Sequence, residues 1–132
     1  MILDSDAVIG FLDSDDALHD AADTLVRKHF KASSLLVSAV TYAEVMTGVR
    51  IGKHDESPVR AFLTEAISAV LPVDLQVAEA AATLRVRHPS LRMPDALILA
   101  SAQANPDVTT VVSGDAQWAK LAGLGLRIET LR

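Results

Sequence analysis

The sequence contains no cysteine, so neither a disulfide scaffold nor a thiolate metal site is open to it. Its four histidines, His19, His29, His54 and His88, are scattered, and none falls at the HxxxH or HExxH spacing of a zinc site. Aromatic residues make up only 4% of the chain. Phe11, Phe30, Tyr42, Phe62 and Trp118 are too few for a platform on which single-stranded bases could stack. No apolar run approaches the ~18 residues of a membrane span, and the N-terminus shows no basic and apolar leader. The expected setting is cytoplasmic, with no membrane partner. There is no Walker-type phosphate loop, and Gly123-Leu-Gly125 reads as a turn. With no repeat, linker or low-complexity tract, the 132 residues read as a single domain, 1–132.

Positive charge is missing from one end. Residues 1–23 carry seven acids and no Lys or Arg, whereas the rest of the chain has 12 basic and 10 acidic groups. The overall charge of −5 argues against a simple nucleic-acid binder. Basic residues nevertheless cluster at Arg27, Lys28 and Lys31, at Arg50 and Lys53, and at Arg85, Arg87 and Arg92. Such clusters are either solvated faces or a rim that tracks phosphates. Half of the chain is hydrophobic and the mean hydropathy is +0.29. That excess is ample for a core and points to apolar surface covered by a partner.

Strand and helix patterns alternate. Short strands are expected at Ile2–Ser5, Leu35–Ala39, Val70–Val73, Thr109–Val112 and Leu126–Glu129. Helices are expected at Ala7–Leu12, Asp16–Phe30, Tyr42–Ile51, Val59–Ala69, Val77–Arg87, Ala96–Ala104 and Gln117–Leu121. This predicts an α/β fold: a doubly wound, mostly parallel sheet of about five strands with helices on both faces. Ligand sites in such sheets lie beyond the carboxyl ends of the strands.

Four acids gather at that edge, each with a purely structural explanation as well. Asp4 and Asp6 follow the first strand, and one of them can cap the next helix. Glu44 completes a Ser/Thr-x-x-Glu capping box with Thr41. Asp95 sits in the first turn of a helix, where the dipole favours an acid. Asp115 suits a turn or an N-cap before Trp118. Topology joins them. Asp4 and Asp115 leave the ends of the first and fourth strands, and Glu44 lies early in the helix leaving the second. The Asp95 helix feeds the start of the fourth strand, so it runs against the sheet and begins at the same edge. Close carboxylates stay ionised together only with positive charge among them. A hard cation with oxygen ligands, Mg²⁺ or Mn²⁺, fits that demand.

Four segments in this order resemble the PIN-domain family, in particular the VapC-type ribonuclease toxins of bacterial toxin–antitoxin pairs. They are Ile2-Leu3-Asp4-Ser5-Asp6-Ala7-Val8-Ile9, Val40-Thr41-Tyr42-Ala43-Glu44, Pro94-Asp95-Ala96-Leu97-Ile98-Leu99-Ala100 and Val112-Ser113-Gly114-Asp115. Two positions depart from the family pattern. Gln117 stands where a further acid or amide is common, and Asp6 where Asn, Ser or Thr is common.

The resemblance implies a Mg²⁺-dependent endoribonuclease, with Mn²⁺ as substitute, that hydrolyses RNA phosphodiesters to a 5′-phosphate and a 3′-hydroxyl. Asp4 and Asp95 would be the principal ligands of the ion. Glu44 and Asp115 would orient its waters or hold a second ion. Ser5 and Ser113 would steady the carboxylates, with Asp6 and Gln117 as auxiliary groups. It also implies a cognate VapB-type antitoxin over the crevice and a homodimer. With so few aromatics, a structured RNA such as tRNA or rRNA, recognised by shape, suits the chain better than a single strand.

Two alternatives compete. Asp4-Ser5-Asp6-Ala7-Val8 also fits the first motif of a haloacid-dehalogenase-type phosphatase, with Asp4 as nucleophile and Asp6 as general acid/base. The Asp expected four residues after Asp115 is absent, since Ala119 stands there. A non-catalytic interaction domain would need all four acids to be no more than helix caps and turn residues.

Overall fold

The computed structural model describes residues 1–30 and 34–132; Lys31 of the first basic cluster lies outside them. Five strands run parallel: β1 (Ile2–Leu3), β2 (Leu36–Ser38), β3 (Ala69–Leu71), β4 (Thr110–Ser113) and β5 (Arg127–Thr130). Their order is β3-β2-β1-β4-β5. The chain starts in the centre and winds outwards in both directions. Its first strand is therefore the most buried, and Ile2 and Leu3 are fully shielded.

The alternation of side chains along each strand splits the core in two. Ile2 and Val111 face one cluster, built with α5 (Leu75–Arg87) and α6 (Met93–Ala104) and including Ala81, Leu84, Ile98, Leu99 and Trp118. Leu3, Val37 and Val112 face the other, built with α1 (Ser5–Leu12), α2 (His19–His29), α3 (Ala39–Arg50) and α4 (Glu56–Ala61). Both faces of the sheet are thus covered, as the unbroken apolar runs of the strands require.

Several boundaries differ from the sequence reading, for local reasons. The expected gap between β2 and its helix does not exist. Ser38 ends the strand and caps α3 at once, its Oγ accepting from the Val40 N–H at 3.1 Å. The long helix expected from Asp16 begins instead at His19, because Asp13 and Asp16 spend their side chains on the N–H groups of Asp15 and Leu18. The helix expected over Val59–Ala69 is α4 followed by a π-type turn over Phe62–Ala66. Helix α5 begins two residues early because Asp74 caps it, accepting from Val77 N–H at 2.9 Å. The last short helix, Ala116–Lys120, is a 3₁₀ helix. No helix among the described residues is long and apolar enough to cross a membrane.

Candidate functional site

Asp4 is the first residue after β1. Its own N–H still donates to Val112 O of β4 at 2.9 Å, so its backbone belongs to the sheet while its side chain opens α1. Oδ1 accepts from Ala7 N–H at 2.8 Å as the N-cap. Oδ2 accepts from Ser113 Oγ at 2.5 Å. The Gly114 N–H adds longer contacts of 3.3 and 3.4 Å to the two oxygens. These donors favour the ionised carboxylate, yet the residue is only 5% exposed. Burial wins, and with the charge of Asp6 it pushes the Asp4 carboxyl up to about 6. The cap and the buried acid are thus one residue, and Asp6 is not the cap.

Asp6 lies in the first turn of α1. Its carboxyl is also raised, by desolvation and then by the charges of Asp115, Glu44 and Asp16, with Arg132 opposing. Asp95 occupies the first turn of α6, where Pro94 sits without needing a hydrogen-bond acceptor. Desolvation raises Asp95; Arg92 opposes the rise, and Glu44, Asp115 and Asp6 add to it. The Arg92 Nε lies 4.0 Å from Asp95 Oδ2, and the Arg92 side chain is 80% exposed. Asp6 and Asp95 thus both feel the charges of Glu44 and Asp115, while Asp4 and Asp95 both feel that of Asp6.

Glu44 does not form the capping box. The cap of α3 is Ser38, so Thr41 is already inside the helix; its buried Oγ1 has no hydrogen-bond partner among the described residues. The Glu44 Oε1 is left to accept from Ser5 Oγ at 2.6 Å, tying the second turn of α3 to the start of α1. Asp115 does cap its helix, accepting from Gln117 N–H at 2.9 Å, while its own N–H donates to Ser113 Oγ at 2.9 Å. Gln117 itself is exposed at the start of that helix.

The Ser113 hydroxyl is consequently fixed between two acids, donating to one and accepting from the backbone of the other. Gly114 has a packing role that sequence reasoning missed. A Cβ there would lie 2.5 Å from the Asp6 Cβ and 2.7 Å from Leu18 Cδ1. Only a glycine lets the β4 exit pass this close to α1.

The basic clusters separate. Arg85 Nε donates to Leu91 O at 3.1 Å, bracing the turn that leads to Arg92. Arg27 is engaged with Asp23 at 2.9 Å, and Arg50 lies at the end of α3 away from Ser38.

The donor set is all oxygen. Among the described residues, its most buried member, Asp4, has no cation in contact with it, and its donors are a hydroxyl and two N–H groups. That suits a hard divalent ion that keeps most of its own waters. Among the described residues, no group of three or more His, Cys, Asp or Glu side chains is drawn together as a ready-made cage.

No curated protein matches the sequence closely enough to count as a relative. Solved structures do match in fold. The VapBC2 complex of Rickettsia felis, bound to a DNA fragment from its promoter, has a TM-score of 0.78 at 18% identity, over 98% of this chain and 96% of that one. A toxin–antitoxin complex of Klebsiella pneumoniae gives 0.76 at 23% identity, over 99% and 97%. The sarcin–ricin loop cleaving toxin VapC20 of Mycobacterium tuberculosis gives 0.69 at 17% identity, over 96% and 98%. The family model of the PIN domain matches residues 1–124, a stretch that holds all four motifs around Asp4, Glu44, Asp95 and Asp115. By that match, the chain belongs to the PIN-domain family.

Proposed function

We propose that the protein is a divalent-metal-dependent endoribonuclease and the toxin of a VapBC-type pair. The observation that carries this reading is the buried Asp4 carboxylate. It is raised by burial, faces no cation among the described residues, and sits at the edge where Asp6, Asp95, Asp115 and Glu44 share one electrostatic neighbourhood. A structural cap has no need of so much negative charge beside it.

Asp4 and Asp95 are the groups to hold Mg²⁺ or Mn²⁺, one from each face of the sheet. An ion held there would supply Lewis-acid chemistry: polarisation of the scissile phosphoryl group, a lowered pKa for the attacking water and a shield for the leaving oxygen. Glu44 and Asp115 act as hydrogen-bond acceptors for water at the site. Ser5 sets the position of Glu44 and Ser113 that of Asp4, as partners that orient ligands do. Asp6 adds charge from the α1 side, and Gln117 is placed to offer an amide. The alternation of acids with hydroxyl donors lets the site carry charge without basic side chains filling it.

The two complexes described above are toxin–antitoxin assemblies, which supports a VapB-type antitoxin here; a homodimer is proposed with it. An apolar groove between Phe11, Val26, Phe30 and Phe62 offers such a partner somewhere to pack. VapC20 is named for cleaving the sarcin–ricin loop, which supports a structured RNA as substrate. A cytoplasmic setting goes with that role.

Incubating the protein with total bacterial RNA and Mg²⁺ tests the reading. Discrete fragments bearing 5′-phosphate and 3′-hydroxyl ends are expected. Ends carrying a 2′,3′-cyclic phosphate would overturn it, because they arise from attack by the RNA's own 2′-hydroxyl rather than by water.

A further inference from the structure

Two arginines act on different members of the acidic group, Arg92 on Asp95 and Arg132 on Asp6. Arg92 begins α6 on one face of the sheet, 4.0 Å from Asp95, with its guanidinium in solvent. Arg132 follows β5, the edge strand beside β4. Strand β5 is in register with β4, Ser113 opposite Thr130. The pairing continues past both strands, since Leu131 N–H donates to Ser113 O at 2.9 Å. Leu131 packs against the α1 side of the core, and Thr130 Oγ donates to Arg132 O at 3.3 Å. The next residue after this anchored stretch is Arg132, exposed and beside the Ser113-Gly114-Asp115 exit. Its charge reaches Asp6.

We infer that Arg92 and Arg132 are positioning residues that grip the phosphates on either side of the scissile one, so that the RNA backbone crosses the carboxyl edge of the sheet between them. This rests on the nuclease reading above. A planar guanidinium suits the task because it binds phosphate oxygens in pairs. Among the described residues neither arginine has a close ion pair: the Arg92 contact to Asp95 is long and solvated, and pairs of that kind are weak. The acids need a cation before any phosphate can approach, whereas the flanking phosphates need arginines regardless.

The test compares wild type with the Arg92→Ala/Arg132→Ala double variant and its Arg→Lys counterpart. Binding of a fluorescently labelled RNA oligonucleotide is followed by anisotropy across a salt series, with Ca²⁺ replacing Mg²⁺. Cleavage kinetics are measured in Mg²⁺. Losing two phosphate contacts is expected to flatten the log–log salt slope by about 1.4, or ~0.7 per contact on a single strand. KM should rise roughly 10-fold with kcat nearly unchanged. The lysine variant, which keeps the charge, should recover most of the slope and less of KM. An unchanged slope and KM in an actively cutting double-alanine variant overturns the proposal and leaves the nuclease reading standing. So does an unchanged slope with a lowered Mg²⁺ requirement, which would make the arginines mere counter-charges. A wild-type protein that cuts no RNA in Mg²⁺ overturns both together.

Discussion

Ser113 Oγ donates a 2.5 Å hydrogen bond to Asp4 Oδ2 across 109 residues of sequence. The bond joins the ends of the central strand β1 and its neighbour β4, inside the buried core. It also sets where the carboxylate points. Ser113→Ala removes that donor and leaves a buried oxygen under-satisfied, so a loss of about 1–3 kcal/mol is expected. Metal affinity should fall about 10- to 100-fold, as it does when partners that orient ligands are removed. Urea denaturation gives the first quantity and calorimetric titration with Mn²⁺ the second. Ser5→Ala, at the exposed Glu44, should cost much less stability.

Stability of the metal-free protein should fall as pH rises through the weakly acidic range. The Asp4 carboxyl stands near 6 when folded, against an ordinary 3.8, so folding favours its protonated form. Its contribution is whole below about pH 4 and is lost as pH rises through about 6. At ~1.36 kcal/mol per pH unit of difference, the loss is on the order of 3 kcal/mol. Asp6 and Asp95 are shifted the same way and add to it. Thermal unfolding in EDTA at closely spaced pH values reads this directly, and Asp4→Asn should flatten the curve.

Divalent metal should offset part of that penalty. At ten times its dissociation constant, an ion that binds only the folded chain adds about 1.4 kcal/mol. The rise in Tm with Mg²⁺ or Mn²⁺ should be larger at pH 8 than at pH 5, where Asp4 is mostly protonated. It should vanish in Asp4→Asn and shrink in Asp95→Asn. A rise that survives both changes would place the ion elsewhere.

Gly114→Ala puts a methyl 2.5 Å from the Asp6 Cβ and 2.7 Å from Leu18 Cδ1. The first of these atoms is anchored to the backbone of α1 and cannot swing aside. The change should cost about 1–3 kcal/mol and displace Asp6, so both the denaturation midpoint and the metal affinity should drop. Gly52→Ala, by contrast, meets no atom within 4 Å and suffers only from its positive φ of 81°. It should lower the midpoint without touching the metal affinity.

Thr41→Val separates two readings of one motif. A capping box would make Thr41 worth about 1 kcal/mol to α3. In the structure Ser38 is the cap and the buried Thr41 hydroxyl has no hydrogen-bond partner among the described residues. Replacing that hydroxyl by a methyl should therefore leave stability unchanged or raise it by up to about 1 kcal/mol, as judged by the urea midpoint.

The same pair of residues shows what the sequence could and could not reveal. Apolar strands alternating with amphipathic helices are strong signals, and they gave the parallel sheet and its carboxyl edge. They also brought Asp4, Glu44, Asp95 and Asp115 to one side, because strand ends and helix starts alternate there by topology. Junctions were harder to place. Ser38 serves as the last strand residue and as the helix cap, a double use that no periodicity reveals, and the error moved the cap to Thr41. Ser38 followed by an apolar run was the available signal. The roles of Gly114 and Arg132 were out of reach, since each depends on a neighbour over a hundred residues away, Asp6 in both cases. Asp4 shows that cap and candidate ligand need not be rival explanations: one oxygen takes the Ala7 N–H, and the acid remains buried and raised.

The central claim is that Asp4 holds a divalent ion needed to hydrolyse RNA. Its most direct test is cleavage of total bacterial RNA by wild type and Asp4→Asn, side by side in Mg²⁺ and in EDTA, with both proteins shown to be folded. The account predicts discrete cuts by wild type in Mg²⁺ and none in the other three reactions. Cuts that persist in EDTA, or in folded Asp4→Asn, would contradict it.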